Sequence, residues 1–216
     1  MVRRRGCLIT LEGPEGSGKS THSRWLASRL RRAGYRVTLV NDPGSTRLGQ
    51  SLRRLLLHTQ VSLSPLAEAL LFIGGRVELV QQRIVPVLTQ GHVVICDRFH
   101  DATVVYQGFG GGVDVRWLDR LGRQAIGGVM PSLTVLLDVP TKIGFGRLRR
   151  AHDRMEQKAA TFHRRVRRGY LTLARQQPRR FVIVDASQPM GHVRRNMESA
   201  VLSAIKRSNS QGCSAT

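Results

Sequence analysis

The stretch that most limits what this chain can be is Gly13-Pro14-Glu15-Gly16-Ser17-Gly18-Lys19-Ser20, a complete G-x-x-x-x-G-K-S with Thr21 behind it. It follows the apolar run "CLIT" and precedes the helix-like "THSRWLASRLRRAG". That strand–loop–helix setting is the one in which such a loop wraps phosphate. Its glycines let backbone N–H groups turn inward on phosphate oxygens, Lys19 reaches the outer phosphates, and the Ser20 hydroxyl at a helix N-terminus can hold Mg²⁺. A glycine-rich turn without a ligand is the competing reading. Against it stands the choice of cation: of 35 cationic residues only Lys19, Lys142, Lys158 and Lys206 are lysine, and one occupies the position the motif requires. The loop is therefore expected to cradle the phosphates of a nucleotide with Mg²⁺.

The rest of the chain builds around that loop as an α/β protein, a three-layer P-loop NTPase fold with a five-stranded parallel sheet flanked by helices. Strand patterns are "CLITLE", the "YRVTLV" near 35–40, "HVVIC" at 92–96, "LTVLLDV" at 133–139 and "FVIVDA" at 181–186. Helical periodicity fills 19–33, 46–57, 65–90, 114–126, 141–150, 157–176 and 190–206. Gly74-Gly75 inside the longest of these costs helix stability, which predicts a close neighbour there. One domain is expected over 1–207, with an arginine-rich lid at about 147–157 and a flexible tail at 208–216. No run approaches the ~18 apolar residues of a membrane span, and no signal peptide is readable, so the expectation is a cytoplasmic protein without a membrane partner. Cys7, Cys96 and Cys213 have neither paired nor metal-ligand spacing.

A formal charge of +21 admits a nucleic-acid binder, but the arginines are spread along the chain without a stripe and aromatic residues are only 5%. No specific nucleic-acid partner is expected; the charge steers anionic nucleotides instead. Asp97 and Arg98 of "VVICDRF" end a buried strand, where ligands of open α/β sheets gather, the aspartate suited to Mg²⁺ and the arginine to a second phosphate. In the continuing "HDATVVYQGFGGG", Thr103, Tyr106 and Gln107 along a short helix can read a base edge and wall a sugar. Arginines of "RLRRAHDRMEQ" read either as a solvated face or as a lid closing on a transferred phosphoryl group, an effect of about 10³ to 10⁵ in rate. No general base is legible. A phosphate monoester acceptor needs none, because its second pKa is about 6.

Taken together, "EGPEGSGKST", "DPGST", "LLFIGGR", "CDRFHDATVVYQG", "PSLTVLLDV", "DRMEQ" and "FHRRVRRGYLTLA" resemble the bacterial thymidylate kinase family in order and spacing, from about residue 7 to 206. That resemblance implies transfer of the ATP γ-phosphate to dTMP, with ATP and dTMP as partners and a homodimer through the long helices. It implies Glu15 on the deoxyribose 3′-OH, Asp42 beside the acceptor, and Arg53 and Arg98 on the acceptor phosphate. Phe72 would stack on thymine, Arg76 would face a base carbonyl, Thr103 and Gln107 would complete the base contacts, and Tyr106 would exclude a 2′-OH. Glu15-Gly16 leaves the P-loop without the arginine some members carry, so the lid supplies it from among Arg147, Arg149, Arg150 and Arg154, with Arg149 and Arg154 favoured beside Lys19 and Arg98 as catalytic groups.

The wording departs from the family at Asn41-Asp42-Pro43-Gly44-Ser45-Thr46, where R-E-P-G-G-T is usual, at Phe99 and Ala102 of the D-R-Y-x-x-S segment, at Gly74 and Gly75, and at Gly111 in place of an arginine. Two other readings remain open from the residues: a different or broadened nucleoside monophosphate kinase, and an ATP-hydrolysing nucleic-acid binder.

Overall fold

Alternation in "CLITLE" organises the molecule, since β1 (Cys7–Glu12) is buried along its whole length. Cys7, Ile9 and Leu11 enter one core layer and Leu8 the opposite one, as a strand covered on both faces requires. The computed structural model describes residues 6–58, 62–148 and 153–210. Among them β1 is joined by β2 (Val37–Asn41), β3 (Val93–Asp97), β4 (Leu133–Asp138) and β5 (Phe181–Asp185) in the order β2-β3-β1-β4-β5, every pair parallel. The chain crosses β1 between β3 and β4, so the strand order reverses at the carboxyl ends of β1 and β3, the place where such sheets bind ligands.

Helices α1 (Lys19–Arg32) and α9 (Met190–Ser210) cover one face: Leu26, Ala27 and Leu30 of α1 meet Val193, Met197 and Val201 of α9 over Ile9, Ile95 and Val135. Each fully buried leucine here contributes roughly 1.5–3 kcal/mol. The other face carries α2 (Arg47–His58), α3 (Pro65–Leu79), α5 (His100–Thr103), α6 (Val115–Ala125) and α8 (Ala160–Gln176), with Phe162, Val166, Tyr170 and Leu173 of α8 packed on Leu136 and on Val104 and Val105. α3 begins at a Ser64 cap that accepts from Ala67 N at 3.2 Å and continues through a wider π-helical stretch, Val80–Ile84, into α4 (Val85–Thr89). Pro86 explains the widening, because it has no N–H for the regular ladder.

Expected and observed elements agree except at the ends and at the π-helical stretches Val80–Ile84 and Val104–Gly110. The helix expected at 141–150 is α7 (Thr141–Gly146), and α9 takes in the first residues of the expected tail; 211–216 and Cys213 lie outside the described residues. Cys7 and Cys96 are buried free thiols. The close neighbour expected at Gly74-Gly75 exists for one of the two. A Cβ on Gly75 would stand 2.9 Å from Leu52 Cδ1 of α2, whereas Gly74 faces open space. α7 rests on the P-loop so tightly that a Cβ on Gly16, at φ +69°, would fall 1.9 Å from the Gly144 carbonyl oxygen. No helix among the described residues is long and apolar enough to cross a membrane.

Candidate active site

A cleft of about 1090 Å³ opens at the carboxyl ends of β1 and β3, and the P-loop forms its floor from Glu15 through Thr21. Gly13 and Pro14 stay beneath it, their carbonyls accepting from Lys19 Nζ at 3.0 and 2.8 Å, with Ser17 Oγ at 3.3 Å. Burial, then the neighbouring Arg98 charge, pull the Lys19 ammonium down from 10.5 to about 8 against the opposing pull of Glu15 and Asp97. A triphosphate bound over Lys19 would favour the charged form and raise that value again. The KM for ATP is therefore expected to stay flat below pH 8 and to climb by up to about tenfold per pH unit above it, as measured by initial rates between pH 7 and 9.5.

Asp97 ends β3 and accepts from Ser20 Oγ at 2.5 Å, so the hydroxyl of the motif and the strand-end carboxylate share one point at the N-terminus of α1. Among the described residues no group of three or more His, Cys, Asp or Glu could hold a metal unaided. One carboxylate and one hydroxyl beside a phosphate cradle suit Mg²⁺, which takes few protein ligands and completes its shell with phosphate and water.

Arg98 follows directly, a non-glycine residue at φ +66°. Its own N–H bonds to Leu11 O at 3.0 Å and the next, Phe99 N, to Glu12 Oε1 at 2.7 Å, so β1 holds this turn in the left-handed region. The Arg98 guanidinium reaches Glu15 with Nη2 at 2.9 and 3.0 Å to the two carboxylate oxygens and Tyr106 Oη with Nη1 at 3.0 Å; Tyr106 in turn donates to Glu15 at 2.5 Å. Burial works to raise the Glu15 pKa, but Arg98, Lys19 and the Tyr106 hydroxyl outweigh it and hold the carboxyl at about 2.

Across the cleft, Arg76 of α3 donates to Asp42 at 2.5 Å and to Thr103 Oγ1 at 2.9 Å, both partners buried. Arg76 Nη1 and Asp42 Oδ1 find no partner among the described residues. Phe72, Arg53, Tyr106 and Gln107 line the same wall. Arg53 Nη1 lies 3.2 Å from Pro43 O. Some of the departures from the family wording have local explanations. Asn41 and Ser45 close a turn on themselves (Ser45 Oγ to Asn41 Oδ1, 3.0 Å), Phe99 packs fully buried with the Arg76 guanidinium 5.6 Å from its ring centre, and a Cβ at Gly111 would press Pro65 at 2.8 Å.

The lid residues divide. Arg149 and Arg150 lie outside the described residues. Arg147 lines the donor end and donates to Ala186 O at 2.8 Å. Arg154 does not line the cleft; it donates to Leu56 O at 2.8 Å and to Glu68 at 2.7 Å. Sequence reasoning passed over Glu68, which also holds Gln107 Nε2 (3.1 Å) and Lys158 Nζ (3.3 Å), and Glu12, which joins Tyr170 Oη (2.8 Å) to the Arg98 turn. Burial pushes the Glu12 carboxyl up to about 8, helped by Asp101 and opposed by Arg98. No local pattern marks either residue. Their partners come from distant segments.

A phosphate cradle at a parallel-sheet switch point, a strand-end Asp-Arg and a second basic wall facing the cradle define a P-loop phosphotransferase. The thymidylate kinase family model matches residues 11–197. Thymidylate kinase of Deinococcus radiodurans is 43% identical over 199 residues, covering 91% of this chain and 97% of that protein, and that of Thermomicrobium roseum is 45% identical over 202 residues, covering 92% and 96%. A crystal structure of thymidylate kinase from Ehrlichia chaffeensis superposes with a TM-score of 0.75 at 34% identity, covering 91% of this chain and 99% of that one. The chain belongs to the thymidylate kinase family, whose members phosphorylate dTMP to dTDP with ATP in dTTP synthesis.

Proposed function

We propose that ATP lies on the P-loop with Mg²⁺ on Ser20 and Asp97, and that dTMP enters the opposite wall with its phosphate toward Arg53 and Arg98 and its base against Phe72, Arg76, Thr103 and Gln107. The observation that carries this reading is the continuity of one cleft from Lys19 to Arg76, with the Arg98–Glu15–Tyr106 cluster midway. The acceptor phosphate is already a nucleophile near neutral pH, so its oxygen forms a bond to the γ-phosphorus as the β–γ bridging bond breaks and ADP leaves. Positioning and charge neutralisation are what the protein supplies. Mg²⁺ supplies neutralisation of the β- and γ-phosphate oxygens when bound. Lys19 covers the outer phosphates, Arg98 aligns the acceptor, and a lid arginine, Arg149 or Arg154, completes the charge.

Coupled assay of ATP-dependent transfer across the common nucleoside monophosphates tests the reading: dTMP is expected first, dUMP weaker, cytosine and purine acceptors poor. DNA-stimulated ATP hydrolysis with no acceptor would favour the nucleic-acid reading instead. Tyr106 is buried with its hydroxyl committed to Glu15, leaving its ring edge as the steric wall at the sugar. Tyr106→Ala is expected to relax the preference for dTMP over its ribonucleotide by about tenfold, read as the ratio of kcat/KM values.

Leu66 and Leu70 stand 44% and 49% exposed one turn apart on α3, and bare Gly74 continues that face. A second copy of the chain packs there by two-fold symmetry, with the glycine admitting close helix approach. Sedimentation is expected to give a dimer that Leu70→Arg dissociates.

A further inference from the structure

We propose that Glu68, in the first turn of α3, fixes which edge of the Gln107 amide faces the acceptor base, and so acts as a positioning residue for base selection; the inference rests on the placement of Gln107 against that base. A primary amide has one accepting edge and one donating edge of nearly equal size, and shape alone does not choose between them. Glu68 does. Its carboxylate is 1% exposed, accepts from Arg154 Nη1 at 2.7 Å and lies 3.3 Å from Lys158 Nζ, and between two cations it offers acceptors only. Gln107 must therefore turn its Nε2 hydrogens to Glu68, the 3.1 Å contact observed. Its Oε1, which meets no partner among the described residues, is left to the cleft that Gln107 lines.

A carbonyl presented there complements a ring N–H. Thymine carries one at N3 between two carbonyls, whereas cytosine has a bare acceptor at N3 and an amino group beside it. Arg76 Nη1, a donor on the same wall without a partner among the described residues, matches a carbonyl and repels that amino group. Donor and acceptor together describe the imide edge. With the amide reversed, Gln107 would offer N–H to N3 and welcome cytosine, so the selectivity of one residue depends on the charge of another that never meets the base. An acid in the first turn of a helix also favours the helix dipole, but exposed acids do that equally well and need no pair of cations.

The test compares kcat/KM for dTMP and dCMP in Glu68→Asp, Glu68→Gln and Gln107→Leu. Aspartate keeps the charge beside Arg154 and Lys158 but withdraws it by about 1.5 Å from Gln107, so this variant folds while releasing the amide. In Glu68→Asp and Glu68→Gln the dTMP to dCMP ratio is expected to fall about tenfold or more, carried by the KM for dTMP rather than by kcat. An unchanged ratio in Glu68→Asp overturns the inference, as does a loss of kcat with the ratio intact, the mark of an effect through Arg154 or the fold rather than through Gln107. Gln107→Leu separates the two levels. If it leaves the ratio unchanged, the base placement of Gln107 has failed and the inference falls with it; if it lowers the ratio and the Glu68 variants do not, only the role of Glu68 is refuted.

Discussion

Lys19→Met abolishes phosphoryl transfer and leaves the fold standing: kcat/KM is expected to drop by about 10³-fold or more, with the thermal midpoint within a few degrees of the parent. The two halves of that expectation have one cause. Among the described residues the ammonium donates to Gly13 O, Pro14 O and Ser17 Oγ, while burial and Arg98 pull its pKa from 10.5 to about 8. The charged form is thus disfavoured by on the order of 3 kcal/mol in the empty cradle. Methionine fills similar volume without that penalty, and Gly13 O and Pro14 O keep contacts from Arg98 Nη1 and Ser17 N at 3.4 Å each, so little stability is lost. In the transition state the balance inverts, since negative charge spreads over the transferred group where the ammonium would stand. Near-parental turnover in a folded Lys19→Met protein would remove the cradle assignment; circular dichroism and a coupled ADP assay suffice to decide.

How far the sequence discloses this site depends on the distance over which each part is assembled. The P-loop is legible because strand, turn and helix are contiguous, and the glycines mark where the backbone must turn. Asp97 and Arg98 are legible because they end an apolar run that can only be a buried strand. The ion pair of Arg76 with Asp42, the Glu15–Arg98–Tyr106 cluster and the Glu68 knot are different: each joins segments whose adjacency is a property of the sheet order β2-β3-β1-β4-β5. Spacing in the chain carries no trace of it. Family resemblance named Asp42 and Arg76, and Glu15, Arg98 and Tyr106, without saying that each set would be bonded together. Nor could pattern foresee the π-helical stretch Val104–Gly110, which carries Tyr106 and Gln107 in the cleft wall; such widened turns recur at functional sites.

Arg98 offers the second large effect, and three substitutions there separate its chemistry from its backbone. Arg98→Ala removes the fork that grips Glu15 and that is proposed to face the acceptor phosphate, and kcat/KM for dTMP is expected to fall by about 10²- to 10³-fold. It also strands Glu15. Burial then acts on that carboxyl without its main counter-charge, so its pKa climbs from about 2 and the residual activity acquires a pH dependence across the acid range that the parent lacks. In the parent, the stability Glu15 contributes is present above its ordinary value of 4.5 and lost only as pH falls toward 2. Arg98→Lys keeps a charge but not two parallel donors, and is expected to retain no more than about a tenth of the activity. Arg98→Gly is the informative one. At φ +66° any side chain pays left-handed strain of about 1 kcal/mol, which glycine relieves. Arg98→Gly should therefore unfold at higher denaturant than Arg98→Ala while being equally inactive. Equal stability of the two would mean that the turn relaxes out of the left-handed region once the arginine is gone, despite its bonds to Leu11 and Glu12.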